Sequence, residues 1–371
     1  MSLHSIMTYD PFKNAWLAYN LYDFHSENSI PKCWHQLKGI NPMGTMKALV
    51  LENHGTEFRV TQIARPAAGE GQVLVRVKAS GVNPLDTKIR AGAAAHARHP
   101  LPAILGIDLA GVVEEVGAGV TSFRRGDEVY GMTGGVAGVQ GSLAEFAAVD
   151  ARLLAIKPSH LSMREAAALP LIFITAWEGL VDRVGIRAGQ KLLVLGGGGG
   201  VGHVAVQIGK ALGADVYAVD GARKADYLKS LNATPIDYAT ETVDEYVAKY
   251  TQGQGFDVVY DTIGGAGLDT AFKAVTRFGH VVSCLGWGTH ALAPLSFKAA
   301  TYSGVFTLLP LLTGKGREHH GDIMREATRL AERGQLMPRL DSRSFALENV
   351  MAAHELIEAG KVDGKLIVDI A

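Results

Sequence analysis

The chain has 371 residues, 47% of them hydrophobic, with 36 basic against 37 acidic side chains and a formal charge of -1. That length exceeds one ordinary domain and the apolar content suffices for two cores, while the balanced charge gives no long-range field to recruit nucleic acid or an anionic membrane. Only two cysteines occur, Cys33 and Cys284, which excludes a disulfide framework and any zinc site built from several thiolates.

No apolar run approaches the roughly 20 residues of a membrane span, and no basic segment with an apolar core marks a secretory signal. The expectation is a soluble, cytoplasmic protein with a small-molecule partner. Residues 1–45 show neither a period of two nor of 3.6 around Trp16, Pro31, Trp34 and Pro42, and read as an appendage to a body that begins afresh at Met46.

From Met46 to about Pro158, short β-branched runs (KALVLE, FRVTQIA, QVLVRVKASGV, LAGVVEEVG, DEVYGM, LAEFAAV, LLAIK) are broken by Gly and Pro and predict a small barrel of about seven strands. Ser162 and Glu165 make a capping-box pattern before an apolar helical stretch through Leu180 and Val181, a linker into a second domain. From Lys191 to about Gly288 strands and helices alternate, which demands crossover helices and hence a parallel, doubly wound sheet. Two amphipathic helices, DIMREATRLAERG and ENVMAAHELIEAG, and a terminal strand, KLIVDI, then return to the first domain. The expected division is an appendage over 1–45, a first domain over 46–165 and 294–371, and a second over 166–293.

Gly196 to Gly200, Val201 and Gly202 follow the strand KLLVL and open a helix, and Gly197, Gly199 and Gly202 satisfy GxGxxG. Glycine lets the chain turn tightly and approach a pyrophosphate, whose charge meets free amides at a helix N-terminus. Strand, loop, helix and second strand stand in the required order for a dinucleotide site, with Gly200 and Val201 in the first helical turn. Asp220 ends the second strand, where a carboxylate can accept from the adenosine ribose of NAD. Arg223 and Lys224 follow, two cations suited to the 2′-phosphate of NADP or else solvated residues of the next helix. NADP is favoured and NAD stays open.

Here the sequence resembles the zinc-independent quinone oxidoreductase branch of the medium-chain dehydrogenase/reductase superfamily. The matching segments are SGVNPLDTKIRAG (80 to 92), ILGIDLAGVVEEVG (104 to 117), GDEVYG (126 to 131), AAALPLIFITAWEGL (166 to 180), GGGGGVG (196 to 202) and GKLIVDI (364 to 370). The resemblance implies an α/β chain made of a GroES-like β-barrel substrate domain and a doubly wound Rossmann cofactor domain, with the active site in the cleft between them. It also implies a homodimer or homotetramer joined through the Rossmann sheets at TYSGVFTLL (301 to 309).

The zinc-dependent alcohol dehydrogenases have a cysteine where this chain has Asn83 and a histidine where it has Ile107, and neither side chain can replace thiolate or imidazole around zinc. No zinc is therefore expected; His96, His99, His319 and His320 read as solvated loop residues. Without a Lewis acid, reduction of a quinone or an α,β-unsaturated carbonyl by hydride transfer is favoured over alcohol oxidation. By resemblance Asn83 and Asp86 line the substrate end of the pocket, Asn83 donating to a carbonyl and Asp86 orienting its neighbours; the plainer reading makes them a turn and a helix cap. Relatives often have tyrosine where this chain has Lys88. Thr175 matches a threonine near the nicotinamide carboxamide, though a satisfied helix hydroxyl reads the same, and Tyr238 resembles a tyrosine beside the adenosine phosphate. Lys365 reads as cofactor-adjacent or as a strand-edge charge. Two other functions fit the same residues: reduction of another activated alkene, such as a 2-alkenal or enoyl thioester, and non-catalytic binding of NADPH.

Overall fold

The computed structural model describes residues 44–370, so nearly all of the expected appendage lies outside the described residues. The first strands are β1 (Thr45–Val50), β2 (Arg59–Ala64), β3 (Gln72–Val82), β4 (Asp108–Val116), β5 (Glu128–Met132), β6 (Phe146–Asp150) and β7 (Leu154–Ile156). β1 and β2 form an antiparallel ribbon. β3 is the hub of the larger sheet, pairing with β4 and β6, and its period-two residues Val73, Val75 and Val77 bury against Val113, Val129 and Val149. The chain leaves β3 directly into helix α1 (Pro84–Arg90), whose first residue is proline, tolerated there because that N–H has no intrahelical partner.

The linker begins as its sequence predicts. The Ser162 hydroxyl accepts from the Glu165 N–H at 3.2 Å, the Glu165 carboxylate accepts from the Ser162 N–H at 2.8 Å, and helix α2 (Met163–Ala167) follows. The single helix expected through Leu180 is instead divided. Pro170 lacks an N–H and its ring clashes with the preceding turn, so a fresh helix, α3 (Pro170–Trp177), starts there and runs into a π-helical segment, Glu178–Arg183.

The second sheet is built from β8 (Lys191–Leu195), helix α4 (Gly200–Ala211), β9 (Asp215–Asp220), helix α5 (Ala225–Ser230), β10 (Thr234–Asp237), helix α6 (Val243–Thr251), β11 (Phe256–Asp261), helix α7 (Ala266–Ala274), β12 (Val275–Ser283) and β13 (Thr301–Gly304). All its pairings are parallel, in the order β10-β9-β8-β11-β12-β13. Helices cover both faces, and Leu192, Leu193, Val194 and Leu195 of β8 are all buried. Chain direction around the sheet reverses between β8 and β11, and the crevice at their C-terminal ends is where such sheets take ligands. β10 and α6 had no counterpart among the predicted elements, because TPID is four residues long and contains proline; β13 carries the sheet beyond residue 293.

After helix α8 (Arg317–Glu332) the chain adds β14 (Phe345–Ala346), helix α9 (Val350–Glu358) and β15 (Leu366–Asp369). β15 pairs antiparallel with β3, closing the first sheet as β14-β15-β3-β4-β5-β7. No helix among the described residues is long and apolar enough to cross a membrane.

Candidate active site

Where β3 gives way to α1, four polar side chains are buried together: Asn83, Asp86, Asp108 and Lys365. Asp108, at the start of β4, has no exposed surface, and its carboxylate is shared between two structural units. One oxygen accepts from Asn83 Nδ2 at 2.9 Å, and the other accepts from the Leu171 N–H at 2.8 Å in the first turn of α3. The Lys365 ammonium, one residue before β15, donates to the Val82 carbonyl at 3.1 Å and to Asn83 Oδ1, and lies 3.9 Å from the Asp108 carboxylate. The Asn83 amide is thereby fixed in orientation, its oxygen on a cation and its nitrogen on an anion. One Nδ2 hydrogen remains beyond the bond to Asp108.

Asp86 Oδ2 accepts from the Asn83 N–H at 2.8 Å, whereas Oδ1 is buried with no partner among the described residues. Burial raises the Asp86 pKa to about 7, against the opposing Asn83 N–H. The same burial pushes Lys365 down while the charges of Asp108 and Asp86 hold it up. Thr175 joins this cluster through α3. Its hydroxyl donates to the Leu171 carbonyl at 2.7 Å, lies 3.1 Å from the Thr307 hydroxyl, and its own carbonyl accepts from Tyr260 at 2.7 Å. Beyond α1, the His96 ring stacks on Trp287 at 5.2 Å and meets the edge of Phe306 at 6.1 Å, so the first domain touches the loops after β12 and β13. Burial, with the nearby Lys88 charge, holds His96 below its usual pKa.

The glycine loop turns from β8 into α4 at Gly196, whose φ is +76°. A Cβ on Gly197 would lie 2.6 Å from the Ala218 Cβ, and one on Gly202 would lie 2.0 Å from the Gly196 carbonyl oxygen. A Cβ on Gly199 would come within 3.2 Å of that same oxygen, whereas at Gly200 the nearest atom is Ile172 Cγ2 at 3.6 Å. Asp220 accepts from the Gly198 and Gly221 N–H groups, each at 2.8 Å, so it ties the loop to the end of β9. Lys224 lays its alkyl stem over the loop, its Cγ 3.0 Å from where a Gly198 Cβ would stand. Arg223 is exposed, and Tyr238 is exposed with its hydroxyl 3.6 Å from the Cβ position of Gly221. Glycines too crowded for a side chain, at a helix N-terminus, form a cradle that fits a dinucleotide pyrophosphate.

Residues 69–159 match the family described as "Alcohol dehydrogenase GroES-like domain", and residues 232–368 match "Zinc-binding dehydrogenase". Over 88% of its length the chain is 36% identical to 2-methylene-furan-3-one reductase of Solanum lycopersicum, covering 76% of that protein. It is 35% identical to the chloroplastic NADPH-dependent alkenal/one oxidoreductase of Arabidopsis thaliana, covering 87% of this chain and 79% of the relative. The crystal structure of an alcohol dehydrogenase superfamily protein from Novosphingobium aromaticivorans superimposes with a TM-score of 0.87 at 56% identity, over 88% of this chain and 100% of the other. The chain belongs to the quinone oxidoreductase and alkenal/one reductase branch of the medium-chain dehydrogenase/reductase superfamily.

In this medium-chain reductase the sequence-predicted residues fall into two groups joined by α3: Asn83, Asp86 and Thr175 around the buried Asp108, and the glycine loop with Asp220, Lys224 and Tyr238 at the ends of β8, β9 and β10. Ile172, one residue past the amide that Asp108 holds, is the nearest contact of a Gly200 side chain. His319 and His320 pair with Asp182 at 2.7 Å and Glu178 at 3.3 Å, and among the described residues no group of three His, Cys, Asp or Glu could hold a metal. Asp108, Lys365, His96 and Trp287 were not singled out as site residues. Asp108 did leave a signal, a lone charge inside the apolar run ILGIDLAGVV, which a buried strand tolerates only with partners.

Two expectations follow for the reductase. Gly202→Ala forces a Cβ onto a backbone oxygen and destabilises by about 1–3 kcal/mol, the scale of overpacking, whereas Gly200→Ala leaves the melting temperature near wild type; thermal unfolding of both variants checks the contrast. Asp86 carries a pKa raised above its unfolded value, so wild-type stability falls as pH rises from about 4 to about 7, where the native state alone keeps the proton. Asp86→Asn removes that penalty. Its melting temperature relative to wild type should therefore be higher at pH 8 than at pH 5, and an equal difference at both pH values would refute the titration.

Proposed function

We propose that this NAD(P)H-dependent medium-chain reductase uses NADPH, without zinc, to reduce quinones or α,β-unsaturated carbonyls. The observation that carries the reading is the donor chemistry at the two positions where zinc-dependent relatives have cysteine and histidine: Asn83 is an amide bound to Asp108 and Lys365, and Ile107 is a fully buried hydrocarbon. The neighbouring names agree in kind, since the two plant relatives are an enone-type reductase and an alkenal/one oxidoreductase, the latter NADPH-dependent.

When bound, the nicotinamide supplies the hydride. The chain's own residues bind, orient and polarise. The remaining Nδ2 hydrogen of Asn83 is the donor assigned to the acceptor carbonyl, held in direction by Asp108 and strengthened by the Lys365 ammonium on the amide oxygen. Asp86 orients the Asn83 backbone through Oδ2 and, when protonated, carries its proton at Oδ1. Thr175 uses its hydrogen on Leu171, which leaves an oxygen lone pair suited to a carboxamide N–H. Gly197, Gly199, Gly200, Val201 and Gly202 hold the pyrophosphate at the α4 N-terminus; Asp220, Lys224, Arg223 and Tyr238 surround the adenosine ribose. A homodimer or homotetramer contact is assigned to β13, the last strand of its sheet, whose outer edge has no strand neighbour among the described residues.

The test is a nucleotide-oxidation screen over quinones, alkenals and enones with NADPH and NADH. Asn83→Ala should lower turnover by roughly 10² to 10³, the effect of deleting one neutral donor at such a site, with nucleotide affinity nearly intact. Wild-type turnover in that variant would remove Asn83 from the reaction, and saturable nucleotide binding without oxidation by any acceptor would favour a binding protein. Protein purified without added metal should hold no stoichiometric zinc by elemental analysis and keep its activity in a chelator; the opposite pair of results overturns the zinc-free reading.

A further inference from the structure

Lys224 stands at the end of the nucleotide loop, but its ammonium is already taken. It pairs with Asp363, a residue of the turn before β15 and hence of the other domain, and Asp363 also accepts from Arg339 at 2.6 Å. The segment that carries Arg339 is docked on the nucleotide helix itself. His203, in the first turn of α4, donates from Nδ1 to the Gly199 carbonyl at 2.9 Å and accepts the Arg339 N–H on Nε2 at 3.3 Å, which fixes its neutral Nδ1–H tautomer. The Arg339 guanidinium lies 4.3 Å above the Tyr227 ring of α5. Asp363 is therefore held against the nucleotide-binding edge by the fold, although its side chain remains 67% exposed.

We propose that Asp363 is a nucleotide-specificity residue, occupying the Lys224 ammonium from across the cleft and so weakening the site for a 2′-phosphate while leaving an unphosphorylated ribose unaffected. A 2′-phosphate carries close to two negative charges and seeks the cations beside Asp220. It meets one of them already neutralised, with the neutralising carboxylate still in place. The free 2′-hydroxyl of NAD needs no cation and is indifferent to Asp363. The inference rests on the reading that the glycine loop holds a nicotinamide dinucleotide with its adenosine ribose at the end of β9.

Direct binding of NADPH and NADH, followed by calorimetry on the full chain without substrate, tests it. Asp363→Asn should tighten NADPH by about fivefold, the upper range for an exposed charge pair, and leave NADH unchanged. The gain should shrink in a Lys224→Met background, because the carboxylate acts through that ammonium. An unchanged or lowered ratio of NADPH to NADH affinity in Asp363→Asn overturns the role of Asp363 alone, as does an equal gain with and without Lys224. Failure of both nucleotides to bind the wild-type chain overturns the dinucleotide reading and this inference with it. The exposure of Asp363 lets the variant fold, and a thermal melt confirms that comparison.

Discussion

A carboxylate with no exposed surface must be met by donors, and the Asp108 side chain imposes that requirement on three distant parts of the chain at once. The amide of Asn83 comes from the residue after β3, the ammonium of Lys365 from the residue before the last strand, and the Leu171 N–H from the linker helix. Loss of Asp108 would strip a buried cation of one of its two counter-charges, and breaking a buried pair in this way typically costs about 3–5 kcal/mol. Burial raises the Asp108 pKa while Lys365, Asn83 and the Leu171 amide oppose the shift. The site's polarity and its architecture are thus one arrangement.

From that anchor, α3 carries position toward the second sheet. Its first N–H groups are free of intrahelical partners, which is why Leu171 can bond Asp108 rather than a residue of its own helix. One residue on, Ile172 faces the start of the nucleotide helix, and one turn on, Thr175 reaches Thr307 after β13. Pro170 makes this possible. By ending α2 and starting a new helix there, it exposes the N–H that the carboxylate takes. A continuous helix through Leu180 would have satisfied that amide internally and left Asp108 one donor short.

These relations explain which parts were legible. The glycine loop and the capping box of Ser162 and Glu165 are local, written within seven and four consecutive residues, so spacing alone placed them. The parallel sheet followed from alternation, and the matching segments of the family pointed to Asn83, Asp86 and Thr175, which Asp108 and α3 connect. What spacing could not supply was the pairing of Lys365 with Asn83 or of Lys224 with Asp363, since these partners lie 282 and 139 residues apart. Lys365 stayed between a cofactor-adjacent residue and a strand-edge charge, because nothing local shows that β15 pairs with β3 and thereby buries it. The aromatic contact of His96 with Trp287 is hidden for the same reason, as its two rings belong to different domains.

At the end of β9 the bonds a side chain makes decide more than its type. By residue type Asp220 and Lys224 argue for opposite nucleotides, yet the Asp220 carboxylate already accepts from Gly198 and Gly221 and ties the loop to the end of β9. Its remaining lone pairs can still accept from a ribose hydroxyl. Lys224 is likewise not an open cation, because Asp363 holds its head while the glycine loop supports its stem. Arg223 is the cation left exposed beside the loop. Asp363 itself is held by Arg339, whose backbone the neutral His203 docks, and by its own N–H donating to Asp341 at 3.0 Å. The Lys224 head thus meets the C-terminal segment that carries Arg339, Asp341 and Asp363, a pairing that nothing near β9 in the sequence announces.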